Sequence, residues 1–231
     1  MHFLLVGASG RTGQHVVSEL LSQGHTAVAL VRTASSLLPR PGLTITTGSP
    51  LSKPDILTAL HAAPPLPAPT AAIITLNTVR ESDSPFAAQV SPLRFLADSC
   101  ANVCEVLEQA GIHRLVVMST AGVGDSWANL PWLSKVFLSW TNVRYALEDH
   151  GLVDEEVRRT GMEWTLVRAA RLRFEGREKA EVERAEAVRT LGSEGKGMSM
   201  TDSVGVAGVA SFSVKCADEG LFVRSAVVVV N

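Results

Sequence analysis

Short apolar runs alternate along this chain with stretches in which apolar residues recur every three or four positions. Phe3-Leu4-Leu5-Val6 has no polar interruption and ends at Gly7, the pattern of a parallel strand covered on both faces. From Arg11 to Gln23 the apolar positions Val16, Val17, Leu20 and Leu21 keep helical spacing, and Gly24 supplies a C-terminal stop. Thr26 to Val31 is β-rich again. The opening segment therefore has the length and order of a βαβ crossover.

The alternation persists. Leu43 to Thr46 predicts a strand, Lys53 to His61 a helix and Ala71 to Leu76 a further strand, with proline-rich Ala63 to Pro69 between them as a stiff surface loop. Phe86 to Gln109 predicts a long helix with a break near Pro92, and Ile112 to Met118 the next buried strand. Asp125 to Asp149 carries Trp127, Trp132 and Trp140 on irregular helical segments. Val153 to Arg159 reads as a helix halted by Gly161, Trp164 to Val167 as a strand, and charge-dense Glu175 to Arg189 as a solvated helix or mobile excursion. Asp202 stands where it can cap a helix over Ser203 to Lys215, and Leu221 to Val230 closes the chain as a strand. The expected fold is α/β: a Rossmann-like, doubly wound parallel sheet in a single domain over residues 1–231, with substrate-covering segments around 125–150 and 171–198. Ligands of such a sheet sit at the carboxyl ends of its strands.

Composition narrows the partners. With 231 residues, 46% hydrophobic and 19% charged, the chain is long enough for one well-buried core and lacks the low-hydropathy, high-charge character of disorder. Lys and Arg number 21 against 23 Asp and Glu, a formal charge of -2 that leaves no broad positive field for nucleic acid. Cys100, Cys104 and Cys216 form no CxxC pair or metal-ligand cluster, and their odd number argues against a disulfide framework. The apolar tract Ala226 to Val230 falls far short of the ~20 residues that span a bilayer, and no basic leader precedes Phe3. These features predict a cytoplasmic protein with no nucleic-acid or membrane partner; the accompanying expectation is a small-molecule substrate and a monomer or homodimer, which composition does not decide.

Gly7-Ala8-Ser9-Gly10-Arg11-Thr12-Gly13 spells GxxGxxG between a predicted strand and a predicted helix, and that context gives the glycines meaning. Gly7 permits a sharp turn, Gly10 a close backbone approach to a pyrophosphate, and Gly13 tight packing of helix on sheet. The amides opening the helix then face the phosphates, with Ser9 and Thr12 as added hydroxyl donors. At the end of the second strand, where an NAD-preferring fold carries an acidic residue for the ribose hydroxyls, this chain has Arg32. Arg32 reads either as a 2′-phosphate ligand, which favours NADP(H), or as an exposed strand-end arginine.

Taken in order, these motifs resemble the atypical short-chain dehydrogenase/reductase group, specifically the NmrA-like and flavin reductase/biliverdin-IXβ-reductase-like NAD(P)-binding proteins. Besides Gly7 to Gly13 and Val31-Arg32, the resemblance rests on Leu115 to Ala121, Glu156 to Arg168 and Ser199 to Asp202, and it covers nearly the whole chain. It implies that Gly7, Ser9, Gly10, Arg11 and Thr12 form the dinucleotide turn, that Arg32 and Ser36 contact the 2′-phosphate, and that Ser49 lies beside the adenine. It further implies that Leu76, Asn77 and Thr78 pass under the ribose, that Met118, Ser119 and Thr120 flank the nicotinamide, and that Ala169 and Ala170 cover it while Arg171 faces substrate.

The chain also departs from the wider superfamily, whose catalytic members carry a Tyr and a Lys four residues apart, the Lys lowering the Tyr pKa for general acid work. Here Tyr145 is followed at that spacing by Asp149, a carboxylate opposed to that role. His150 aligns near the lysine position, where an imidazole either donates a proton near neutral pH or faces solvent at a helix start. Ser119 and Thr120 either polarise a substrate carbonyl or satisfy backbone groups at a strand end. Trp127, Trp132 and Tyr145 are candidates to line an apolar substrate pocket, with core or lid packing the other role open to the tryptophans. Arg168 reads as structural, Arg171 as an anchor for an anionic substrate. The expectation is an NADPH-dependent oxidoreductase acting on a small conjugated carbonyl, quinone, flavin or related planar molecule. The alternatives are an NmrA-like protein that senses NADP(H) without turnover and a biosynthetic enzyme that uses bound NADP for a non-redox cyclisation or isomerisation.

Overall fold

Strand β1 (His2–Val6) is buried along its whole length, as its unbroken apolar run predicts. Its neighbours follow in the expected alternation: α1 (Arg11–Ser22), β2 (Thr26–Val31), β3 (Leu43–Thr47), α2 (Lys53–Leu60), β4 (Ala71–Ile74), α3 (Phe95–Gln109) and β5 (Arg114–Thr120). Then come α4 (Trp132–Trp140), α5 (Val143–Arg158), β6 (Glu163–Ala169), β7 (Arg171–Arg173), β8 (Arg189–Thr190), β9 (Ser203–Gly205), α6 (Val206–Glu219) and β10 (Ser225–Val230). The structure is a computed structural model and describes residues 1–63, 67–174 and 188–231. Pro64 to Leu66 of the proline-rich loop and residues 175–187 of the charge-dense segment lie outside the described residues.

The main sheet has the order β3-β2-β1-β4-β5-β6-β10-β8, parallel throughout except for the short β8 against β10, while β7 and β9 form a separate parallel pair. This is the Rossmann-like doubly wound α/β architecture. Successive strand residues point to opposite faces, so Leu4 and Val6 pack with α2, α3 and α5 while Phe3 and Leu5 pack with α1 and α6. The strand order reverses at β1, where Val6 pairs with Leu30 on one flank and Ile74 on the other. A crevice opens at the carboxyl ends of strands flanking such a reversal.

Several elements differ from expectation. The helix predicted from Phe86 starts only at Phe95, after an irregular stretch ending in Arg94 with φ 59°. Asp202 does not cap the last helix: its carboxylate accepts from the Ser199 amide at 2.8 Å, and Gly205 occupies the cap position of α6. The final strand begins at Ser225 rather than Leu221, because Phe222 and Arg224 take positive φ values in a turn. All three cysteines are buried, and burial pushes the Cys216 thiol up to about 12.

Candidate functional site

The turn after β1 is built by exclusion of side chains. Gly7 has φ +92°, and a Cβ there would stand 2.8 Å from the Thr75 carbonyl carbon at the end of β4. The Gly10 amide donates to the Gly7 carbonyl at 3.0 Å, and the Gln14 amide to the Gly10 carbonyl at 3.0 Å, which begins α1. Gly10 provides no side-chain cap and the first turn of α1 contains no acidic residue. A helix start of this kind presents amide donors and a positive dipole end, a donor set that fits a diphosphate.

A cleft of about 580 Å³ runs from this turn across the carboxyl ends of the strands. Gly7, Ser9, Gly10, Arg11 and Thr12 line its near end, and Arg32 lines the wall at the end of β2. Leu76, Asn77 and Thr78 after β4, Met118, Ser119 and Thr120 on β5, Ala169 at the end of β6, and Ala170 and Arg171 beyond it complete the floor and far side. Four guanidinium residues, Arg11, Arg32, Arg80 and Arg171, border it against one carboxylate, Asp83, among the described residues. Arg11 stacks 4.0 Å from the Phe174 ring centroid and lies 3.5 Å from Asp83, both partners exposed, so that ion pair contributes little. The cleft is therefore a positive field with an apolar lining.

Two of the expected phosphate- and adenine-side residues are engaged locally. The Ser36 hydroxyl donates to the Thr33 carbonyl at 2.5 Å, and Ser49 donates its amide to Asp55 at 2.8 Å while its hydroxyl accepts from the Leu51 amide. Neither is among the residues lining the cleft, where Pro50 stands instead. Trp127, Trp132 and Tyr145 are not lining residues either: Trp132 points to solvent and the Tyr145 hydroxyl accepts from Arg144 at 2.9 Å. The substrate end of the wall comes from α5, whose Val143, Ala146, Leu147 and His150 fall at i, i+3, i+4 and i+7. That spacing is a signal present in the sequence, one helical face of small apolar residues ending in a histidine. Arg80, Phe95 and Phe174 also line the cleft without a motif to mark them.

His150 lies within α5 and is buried, not solvent-facing at a helix start; burial lowers its pKa to about 4 and its Nδ1 has no hydrogen-bond partner. The imidazole is thus neutral at pH 7, a hydrogen-bonding group rather than a charged acid. Ser119 is buried on the same cleft and its hydroxyl is also unpartnered, whereas Thr120 donates to the Ala121 carbonyl at 3.2 Å. Asp149 turns the other way: its carboxylate accepts from the Leu96 and Ala97 amides at 2.8 and 3.0 Å, holding the start of α3.

Arg168, fully buried, does not line the cleft. It donates to Asp125, to Asp154 at 2.8 Å and to the Ser193 carbonyl at 2.7 Å. Burial alone raises the Asp125 carboxyl, but hydrogen bonds from Arg168 and Ser193, with the charges of Arg168 and Arg158, outweigh it and hold the group below its usual value. The assembly fastens the segment after β5 and the Ser193 turn to β6. Among the described residues no group of three or more His, Cys, Asp or Glu is arranged to hold a metal ion, and no helix is long and apolar enough to cross a membrane.

The model of the NAD(P)H-binding family matches residues 7–220. The chain belongs to that family. As an NAD(P)H-binding protein it shares 29% identity over 154 residues with the photosystem II assembly factor Ycf39 of Synechocystis sp., a match covering 64% of this chain and 43% of the relative. The chain thus spans less than half the length of that curated relative. Among solved structures, ChuY, an anaerobillin reductase from Escherichia coli O157:H7, superposes with a TM-score of 0.73 at 18% identity over 99% of this chain and 96% of the other. A wide-type short-chain dehydrogenase/reductase from Veillonella parvula, solved in complex with NADP, gives 0.72 at 16% identity over 99% and 93%. These NAD(P)H-binding and reductase folds share the architecture of this chain.

Proposed function

We propose that this NAD(P)H-binding protein is an NADPH-dependent reductase of a small planar acceptor: a conjugated carbonyl, quinone, flavin or related molecule. The observation that carries the reading is Arg32, which borders the cleft at the carboxyl end of β2, where a carboxylate would select the ribose hydroxyls of NAD. A guanidinium at that point favours a 2′-phosphate through charge-assisted hydrogen bonds. Amides of the Gly7 to Gly13 turn, with Ser9 and Thr12, hold the pyrophosphate.

When bound, the dihydronicotinamide supplies a hydride, two electrons and one proton, to the acceptor, whose heteroatom then takes a second proton. Neutral His150 and the Ser119 hydroxyl orient the acceptor by hydrogen bonding, and solvent provides the second proton. The apolar face of α5 and the Arg171–Phe174 segment border the substrate end and hold the acceptor against the cofactor, while the open mouth of the cleft admits the water that gives the second proton. Arg171 anchors an anionic group of the acceptor.

A second reading, a sensor that binds NADP(H) without turnover, is favoured by Asp149: the residue four after Tyr145 is a carboxylate spent on the α3 backbone, so Tyr–Lys acid chemistry has no counterpart here. Calorimetric titration of NADPH and NADH into wild type and Arg32→Ala tests the cofactor assignment. Wild type should prefer NADPH by roughly 10- to 100-fold, the value of one or two charged hydrogen bonds, and the substitution should remove most of that preference. Equal affinities in wild type would overturn it. A panel of quinones, flavins and enones then divides the readings: NADPH consumption marks a reductase, tight binding without consumption a sensor, and product formed with no net NADPH loss a non-redox enzyme.

A further inference from the structure

Helix α4 is apolar and contains no buried residue. At 3.6 residues per turn, Trp132, Leu133, Val136, Phe137 and Trp140 fall within an arc about 140° wide, and all five are exposed, Trp132 at 70% and Trp140 at 83%. Leu138, on the opposite side of the helix, lines the cleft. The α4–α5 junction extends the stripe: Asn142 donates its amide to Pro85 at 2.9 Å and its side chain to the Phe86 and Ala87 carbonyls at 2.9 and 3.2 Å, which fixes the 69%-exposed Phe86 beside it.

With a large side chain presenting roughly 150–250 Å², these six residues expose about 700 Å² of apolar surface, above the few hundred that monomers usually show and close to the ~800 Å² that one partner of a stable complex buries. The stripe carries no charge. The charged residue of α4, Lys135, donates to the Ala128 carbonyl at 2.9 Å. A lipid-facing helix would be rich in Lys or Arg along its polar face, and this one is not. An uncharged stripe can meet its own copy across a two-fold axis without opposing like charges.

We propose that the α4 stripe, with Phe86, is the docking face for a second copy of this chain, two α4 helices packing against each other across a two-fold axis. The surface lies outside the cleft, so the inference stands apart from the catalytic reading. Sedimentation of the full chain over a micromolar concentration series should give twice the 24.6 kDa monomer mass. The double variant Phe137→Glu/Trp140→Glu should dissociate with a constant weaker by roughly a hundredfold, as for loss of interface anchors, while binding NADPH as wild type does. If that variant fails to fold, Leu133→Lys/Val136→Lys supplies the same test. Wild type that stays at the monomer mass, or a dimer indifferent to these charges, overturns the proposal. So does monomeric wild type that co-sediments with phosphatidylcholine vesicles, which would make the stripe a lipid-facing surface.

Discussion

A Cβ on Gly13 would stand 2.2 Å from the carbonyl oxygen of Gly7, inside any contact a real side chain makes. Both glycines are needed to hold α1 against the end of β1, and that closeness brings the helix-opening amides to the cleft. Gly13→Ala must push α1 away. The expected cost is about 1–3 kcal/mol of stability, as for overpacking, with NADPH affinity reduced about tenfold or more, the weight of one charged hydrogen bond. Urea denaturation and cofactor titration read the two effects separately; an unchanged affinity would show that the turn does not need this approach.

Gly151 is the opposite case. It lies within α5, and a Cβ there meets nothing within 4 Å. Gly151→Ala should stabilise by about 0.5–1 kcal/mol, because alanine loses less backbone entropy on entering a helix. For a chain of this size the thermal midpoint should rise by about 2–4 °C per kcal/mol, with cofactor affinity unaltered. A lowered midpoint would mean that the α5 backbone is under a constraint that favours glycine.

The strands and the glycine turn are legible in the sequence because a parallel strand buried on both faces must be apolar without interruption, and Phe3 to Val6 is. The helix expected from Phe86 misleads for a physical reason: Phe86, Val90 and Leu93 keep helical spacing, yet all three are exposed, and Pro92 with left-handed Arg94 prevents the helix from starting earlier. Trp127, Trp132 and Trp140 are the bulkiest apolar residues of their segment, yet the cleft is walled by the smaller Val143, Ala146 and Leu147 of α5, because the tryptophans lie on surfaces turned away from it. Asp149 could not be read locally, since its partners Leu96 and Ala97 are more than 50 positions away and only tertiary packing brings them together.

Arg168 and Asp154 form a buried pair at 2.8 Å, and a Cβ on Gly124 would lie 2.7 Å from the Arg168 guanidinium, so the loop after β5 is moulded around it. Arg168→Met leaves a buried carboxylate with Arg158 as its remaining cationic partner. The expected loss is about 3–5 kcal/mol. Adding Asp154→Leu should recover part of it, because the buried carboxylate that lost its Arg168 partner is then removed. Denaturant midpoints of wild type, both single variants and the double variant measure the coupling. Strictly additive losses would mean that the two side chains stabilise the fold independently.

The neutral, buried imidazole of His150 makes stability depend on pH. Its folded pKa is about 4, against 6.5 for the exposed group, and the cause is burial. Between those values the unfolded chain carries a proton that the folded chain lacks, so stability rises with pH across the window. Full stability is present above 6.5, declines as pH falls through 6.5, and stops declining from this source near 4; the lowered pKa corresponds to about 3 kcal/mol. His2, whose pKa burial also lowers, acts in the same direction, so wild type alone does not isolate the effect. The difference between wild type and His150→Gln does: the variant should lose less stability on acidification, by up to about 3 kcal/mol. Acceptor turnover should show no titration near 6.5 from this residue. If wild type and His150→Gln lose stability equally between neutral pH and the acid limit, the imidazole takes up its proton in place, and His150 returns as a direct proton donor.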